Sequence, residues 1–284
     1  MLRHFWAITA CAAALLNAQV AQHVPTEIPF EFREGLLWIK ATLPQSPEPL
    51  NFLVDTGAGA SVIHRGTANR LGLNLGSAVT VRGVATTLTG NRLKGISATV
   101  GQTSLPTDYI AVDLGKLSSS CQRPVDGLLG ADFFRGRVVQ IDFKDQKLRI
   151  LNPDQLPPSG EILPLQLRPC GMRVAVTVNG HQRQWVRLDT GCASALQWVT
   201  SPVRPQDCKP QVAIGLAELS IPQMQTTVEI GQQKFANVPT GLHANAIFAG
   251  EAGLLGNGLL SRFASVTIDT KARRLILETN PSTP

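Results

Sequence analysis

The tripeptide Asp-Thr-Gly occurs twice in this chain, as Asp55-Thr56-Gly57 and Asp189-Thr190-Gly191, each directly after a hydrophobic run ("NFLV" and "WVRL"). A solitary aspartate titrates near pKa 3.9 and is a plain carboxylate at neutral pH. Two aspartates brought together cannot both ionise cheaply, so they hold one proton between them and can act as acid and base at once. Adding water across a peptide carbonyl needs both roles. A base takes a proton from the water, and an acid protonates the carbonyl oxygen. Average residue usage puts on the order of 0.05 such tripeptides in a chain of this length. Two copies in the same strand context are therefore a strong signal, provided that the fold brings Asp55 and Asp189 face to face across a cleft.

The surroundings of the two copies form an internal repeat. "FLVDTGAGASVI" from Phe52 parallels "WVRLDTGCASAL" from Trp185, and "VDGLLGADFF" from Val125 parallels "EAGLLGNGLL" from Glu251. "VVQIDFKDQKLRIL" from Val138 then parallels "SVTIDTKARRLILE" from Ser265. Three matched blocks in the same order indicate duplication. The copies meet at a Pro-, Asn- and Gly-containing linker, 151–161. The expected organisation is a signal peptide at 1–21, an N-terminal lobe at 22–156 and a C-terminal lobe at 157–284.

Each copy reads as mostly strand. Segments such as "VTVRGV" and "TDYIAVDL" are β-branched with short alternation, and 25 glycines and 19 prolines punctuate the chain. Helix is expected at 66–71 and briefly after each GLLG. The second copy's "QWVTSPVRPQDCKP" has three prolines and cannot continue as a helix. Gly57 and Gly191 suit tight loops whose amides approach the carboxylates. The Thr56 and Thr190 hydroxyls can bond across to the opposite loop. Leu128, Leu129 and Gly130 in one copy, and Leu254, Leu255 and Gly256 in the other, are expected to floor the site, with glycines permitting close strand approach.

Taken together, the order hydrophobic-DTG, hairpin, hydrophobic-hydrophobic-Gly and Ile-Asp hairpin resembles the aspartic protease superfamily. The likeness is greatest to a retropepsin-like domain duplicated in one chain, in a pepsin-like bilobal arrangement. The resemblance implies an all-β fold with two homologous β-barrel-like lobes related by a pseudo-twofold. It implies an endopeptidase with a water between Asp55 and Asp189 and no metal or organic cofactor. A polypeptide substrate would lie extended in the cleft against a β-hairpin flap. Segments 81–95 and 214–224 are the flap candidates. Some positions depart from the pattern. Ala58 and Cys192 follow the two triplets, where pepsin-like enzymes usually carry a hydroxyl and retroviral ones Ala. Tyr109, the single tyrosine, lies outside both flap candidates. The first strand begins soon after the signal, so no pro-segment removal is expected. The rival reading is a pseudoprotease that binds extended peptides in the same cleft without cleaving them. Two intact triplets favour the enzyme.

Composition excludes other classes. The net charge of +6 is scattered along the chain and aromatics make up 5%, so no basic stripe with stacking rings points to nucleic acid. There is no GxSxG, HExxH or P-loop, and His23, His64, His181 and His243 are dispersed. Gly256-Asn257-Gly258 is a weak dinucleotide echo in a non-Rossmann setting and reads as structural. A basic start (Arg3, His4), an apolar run from Phe5 to Leu16 and small residues at Ala18 and Ala21 form a secretory signal pattern too short to span a membrane. A lipid anchor at Cys11 would leave almost no apolar stretch before it. The expectation is a periplasmic or secreted two-lobed monomer. Its four remaining cysteines, Cys121, Cys170, Cys192 and Cys208, permit two disulfides in three pairings.

Overall fold

The computed structural model describes residues 26–84, 86–153, 156, 159–200, 212–214 and 221–280. The signal-peptide segment and Cys208 lie outside the described residues. Strands dominate, and among the described residues the helices are short: Arg65–Arg70, Gly115–Ser120, Ala131–Phe134 and Asn257–Leu260. The helix expected at 66–71 and the short turns after each GLLG are all present. The Gly115–Ser120 helix was not legible, since "GKLSSS" has no apolar periodicity and its N-cap makes no side-chain bond.

Each half of the chain builds most of one sheet, and one strand of the second half, Val212–Ile214, joins the edge of the first. In the first, nine strands run in the order Val212–Ile214, Ala78–Gly83, Thr86–Leu93, Tyr109–Val112, Val62–His64, Gly127–Leu129, Leu50–Val54, Leu36–Ala41 and Glu31–Arg33. In the second, the order is Gln166–Arg168, Gly171–Val178, Gln184–Leu188, Gly253–Leu255, Leu196–Val199, Gln233–His243 and Gln223–Ile230. Gly171–Val178 pairs with Gln223–Ile230 as well, which closes six of these strands into a barrel. Closure removes the exposed edges that an open sheet would leave.

A third sheet of six strands joins the halves. Val138–Asp142 from the first copy pairs antiparallel with Phe263–Asp269 from the second, with Gln140 opposite Thr267. Outward on each side lie the hairpin partners Lys147–Leu151 and Arg274–Thr279, and then Thr26–Pro29 and Glu161–Pro164. The two matched Ile-Asp hairpins are thus neighbours. Their Val139, Ile141, Val266 and Ile268 side chains enter one buried core that draws on both lobes.

The strands that carry the Asp-Thr-Gly triplets are covered on both faces, which explains their near-continuous apolar character. Along Leu50–Val54, alternate residues Phe52 and Val54 enter the shared core, while Leu53 enters a smaller cluster with Trp38, Val62, Val125 and Leu128. In the second lobe, Val186 and Leu188 enter the shared core in the same way. The opposite face there holds Arg187, which is 1% exposed.

Candidate active site

The two Asp-Thr-Gly loops are placed by matching strand pairings. Leu50–Val54 runs parallel to Gly127–Leu129, and Gln184–Leu188 runs parallel to Gly253–Leu255. The next hydrogen bond in each ladder comes from the aspartate itself. Asp55 N donates to Leu129 O at 2.9 Å, and Asp189 N donates to Leu255 O at 2.9 Å. Each chain then turns back on its own carboxylate: Ala58 N donates to Asp55 Oδ1 at 3.0 Å, and Gly191 N to Asp189 Oδ1 at 3.0 Å.

The threonines tie the loops to each other. Thr56 N donates to Thr190 Oγ1 and Thr190 N to Thr56 Oγ1, both at 3.0 Å. Thr56 Oγ1 in turn donates to Leu188 O, and Thr190 Oγ1 to Val54 O, both at 2.8 Å. Each hydroxyl therefore bonds both the amide and the strand end of the opposite loop. This symmetric lock fixes one aspartate relative to the other.

The carboxyl groups meet at the centre. A Cβ built on Gly57 would lie 2.4 Å from Asp189 Cγ, and one on Gly191 would lie 2.4 Å from Asp55 Cγ. Each carboxyl group rests on the other loop's glycine, so only a residue without a side chain leaves room for it. Gly191→Ala is expected to fold but to push Asp55 off its position. An error of this size in a reacting group costs about 100-fold in rate, read as kcat on any cleaved peptide.

Asp55 and Asp189 are 2% and 4% exposed. Burial raises both above the usual carboxylate range. Asp55 is held back by the amides of Ala58 and Gly57, by a hydrogen bond from Asp189 and by the charge of Arg187. Asp189 rises further, because the Asp55 charge and the shared hydrogen bond favour its protonated form. A pair raised in this way by burial and mutual charge is suited to holding one proton between its two carboxyl groups.

An aspartyl protease family model matches residues 39–133, from within the Leu36–Ala41 strand to the short Ala131–Phe134 helix after the first floor residues. Across both lobes the fold is similar to that of the aspartic proteinase from Irpex lacteus. The TM-score is 0.56 at 12% identity, covering 91% of this chain and 98% of that one. Both likenesses point to the aspartic protease superfamily. A comparison with curated proteins finds no match.

In both lobes the floor residues lie under the loops. Leu128, Leu129, Leu254 and Leu255 are all buried. A Cβ on Gly130 would fall 2.5 Å from the Ala60 carbonyl group, and one on Gly256 would fall 2.3 Å from Ser194 O. Several supporting residues escaped the sequence reading. Ser61 N and Oγ donate to Asp132 at 2.8 and 2.7 Å, fastening the lobe-one loop to the turn after GLLG. Asn257, from the Gly-Asn-Gly stretch, is buried and donates at 2.7 Å to both Thr190 O and Gly35 O. Arg187 donates to Gly57 O at 2.8 Å and is paired with Glu251. Polar residues inside the repeated apolar blocks were the available signal.

Asp189 borders a cavity of about 660 Å³ lined by residues of both lobes, including Glu34, Leu36, Val84, Leu117, Ile221 and Arg262. Cys192 also lines it as a free thiol, pushed up to about 12 by burial and the neighbouring Asp189 charge. Cys121 and Cys170 are buried. The lobe-one flap candidate is the hairpin of Ala78–Gly83 and Thr86–Leu93. At its turn, Val84 is buried against the lobe-two residues Val199, Ile247, Phe248 and Leu254. Of the lobe-two candidate, 215–220 lie outside the described residues, while Val212–Ile214 pairs parallel with Ala78–Gly83. Val84→Ala removes two buried methyl groups, worth about 1.5 kcal/mol of docking. Amide exchange of the 78–93 hairpin should then accelerate roughly tenfold.

Proposed function

We propose that this protein is an exported aspartic endopeptidase that hydrolyses peptide bonds with a water activated by Asp55 and Asp189. The observation that carries the reading is the meeting of two buried carboxyl groups, each seated on the other's loop glycine, at the wall of a two-lobed cavity. Asp55, as the carboxylate, takes a proton from the water. Asp189, as the acid, protonates the scissile carbonyl oxygen, and the water oxygen adds to the carbonyl carbon. The tetrahedral product collapses when the leaving nitrogen takes up a proton and the C–N bond breaks. The chain's own residues supply both proton carriers. The lobe-one hairpin covers an extended polypeptide, pairing with its main chain while the cleft selects side chains. Export to the periplasm or medium rests on the N-terminal signal pattern, and a single chain supplies both halves of the site.

The test is incubation of the purified protein with a peptide library from about pH 3 to about pH 8, a span that brackets a shared-proton carboxyl pair. Internal cleavage over part of that range supports the proposal. A protein that retains peptides but cuts none at any pH would instead be a binding module.

A further inference from the structure

Because the lobes are copies, each position in one has a control in the other. Trp38 stands opposite Leu53 across neighbouring strands in lobe one, and Arg173 stands opposite Arg187 in lobe two. Val125 and Glu251 each stand two residues before the first glycine of their floor block. Trp38, Leu53 and Val125 belong to one buried apolar cluster behind the Asp55 loop. The equivalent trio behind the Asp189 loop is charged, and Arg173, Arg187 and Glu251 are 5%, 1% and 1% exposed.

A buried ion network is a poor source of stability, since apolar residues of similar volume in its place are often neutral or better. Lobe one demonstrates that this fold accepts them. The charged trio makes one contact that an apolar trio cannot. Arg187 Nη1 donates at 2.8 Å to the carbonyl of Gly57, the glycine on which the Asp189 carboxyl group rests. The guanidinium is held for this task. Its Nε and Nη2 donate to Glu251 at 2.7 and 2.8 Å, and its central carbon lies 3.8 Å from the Phe248 ring centroid. Arg173 Nε donates to the same Glu251 at 2.9 Å. A rigid fork with five donors suits this arrangement where a lysine would not. Two cations and one carboxylate leave one positive charge beside a pair that, holding one proton, carries one negative charge.

We infer that Arg187 is a positioning residue for the aspartate pair: from lobe two it pins the Asp55 loop through the Gly57 carbonyl, and with Arg173 and Glu251 it supplies the buried positive charge that balances the ionised carboxylate. The inference rests on the function proposed above. Among the described residues, the charge acting on both aspartates is Arg187 on Gln184–Leu188, with Glu251 and Arg173 bonded in turn behind it, while Glu34 and Arg262 line the same cavity as Asp189. The nearby Cys192 thiol is neutral.

The decisive variant, Arg173→Trp/Arg187→Leu/Glu251→Val, copies the lobe-one trio. It is expected to melt no lower than the wild type. Both limbs of its kcat/KM profile should move to higher pH by about one unit, because a lost cation makes each proton harder to remove. Its kcat should fall roughly tenfold or more with KM little changed, as misplacement of a reacting group requires. Arg187→Lys keeps the charge without the fork, so it should retain the wild-type limbs while kcat still falls. If the triple variant does not fold, Arg187→Gln, which leaves Glu251 paired with Arg173, carries the same expectation. Wild-type limbs and wild-type kcat in a folded charge-removed variant would overturn the inference. Carboxyl-carbon NMR titration of the substrate-free protein separates this outcome from failure of the proposed activity. If no peptide is cut, an unchanged aspartate titration in Arg187→Gln overturns the inference, and an upward move supports it.

Discussion

Asp189→Asn is expected to lower peptide cleavage by about 10⁴-fold, the upper range for loss of a positioned proton donor, while raising the melting temperature near neutral pH. The two effects share one cause. The introduced asparagine would copy the protonated form of Asp189, with its amide donating to Asp55 and its oxygen still accepting from Gly191 N. The geometry survives, but the transferable proton is gone. In the wild type the Asp189 carboxyl is raised well above its ordinary value of 3.8 by burial and by the Asp55 charge. A carboxyl raised in the folded state binds more protons there than in the unfolded chain between those two values. Its stabilising contribution is present in full below the unfolded value and is lost as pH rises through the folded one. Asparagine escapes that loss. The gain in melting temperature should therefore be largest near neutrality and should shrink as pH falls towards about 4. Thermal melts of both proteins across this range check the sign. A deficit for the variant that does not change with pH would contradict it.

The second large effect concerns the lock between loops. Thr190→Val is nearly isosteric, but it strips Thr56 N of its acceptor and Val54 O of its donor in a buried setting. Each buried group left without its partner costs about 1–3 kcal/mol, so the loss should be roughly 2–6 kcal/mol. In a chain of this size that lowers the melting temperature by about 10 °C. Thr190→Ser keeps the hydroxyl and should recover most of the stability. Activity should follow the same order, because the lock holds Asp55 and Asp189 in register. Equal melting of the Val and Ser variants would show that the cross-lobe bonds contribute little.

Much of this architecture was legible because the sequence repeats itself. Matched strands before each DTG, matched GLLG blocks and matched Ile-Asp hairpins point to two mostly β lobes, and proline content explains why the segment after Val199 was not expected to be helical. The pairing of the two Ile-Asp hairpins with each other was not legible. Gln140 meets Thr267 across a contact far apart in sequence, and nothing local to either strand announces its partner. Gly115–Ser120 was missed because its sequence has no helical stripe, and tertiary placement overrides weak propensity.

The supporting residues of the site were hidden for a different reason. In "QWVRL", alternation alone assigns Arg187 to a solvent face, as it would for a strand with one wet side. The structure covers that face, and the partners Arg173 and Glu251 lie 14 and 64 residues away in the chain, distances at which pairing leaves no local pattern. A signal was nevertheless present. Aligning the copies against each other shows apolar Leu53 and Val125 replaced together by Arg187 and Glu251, a paired change of opposite charges at positions that must adjoin. Asn257 carries a similar lesson, since a Gly-Asn-Gly that looks like a weak nucleotide echo instead fastens Thr190 O and Gly35 O.

The most direct test of the central claim, that Asp55 and Asp189 act as a single proton-sharing unit, is a cleavage-rate cycle of wild type, Asp55→Asn, Asp189→Asn and the double variant on one peptide. Residues that act as a unit lose their contribution at the first substitution. Both single variants and the double variant should therefore fall to the same residual rate, about 10⁴-fold below the wild type. A single variant that keeps even roughly a tenth of the wild-type rate would contradict it, since no loss that small fits removal of an essential acid or base.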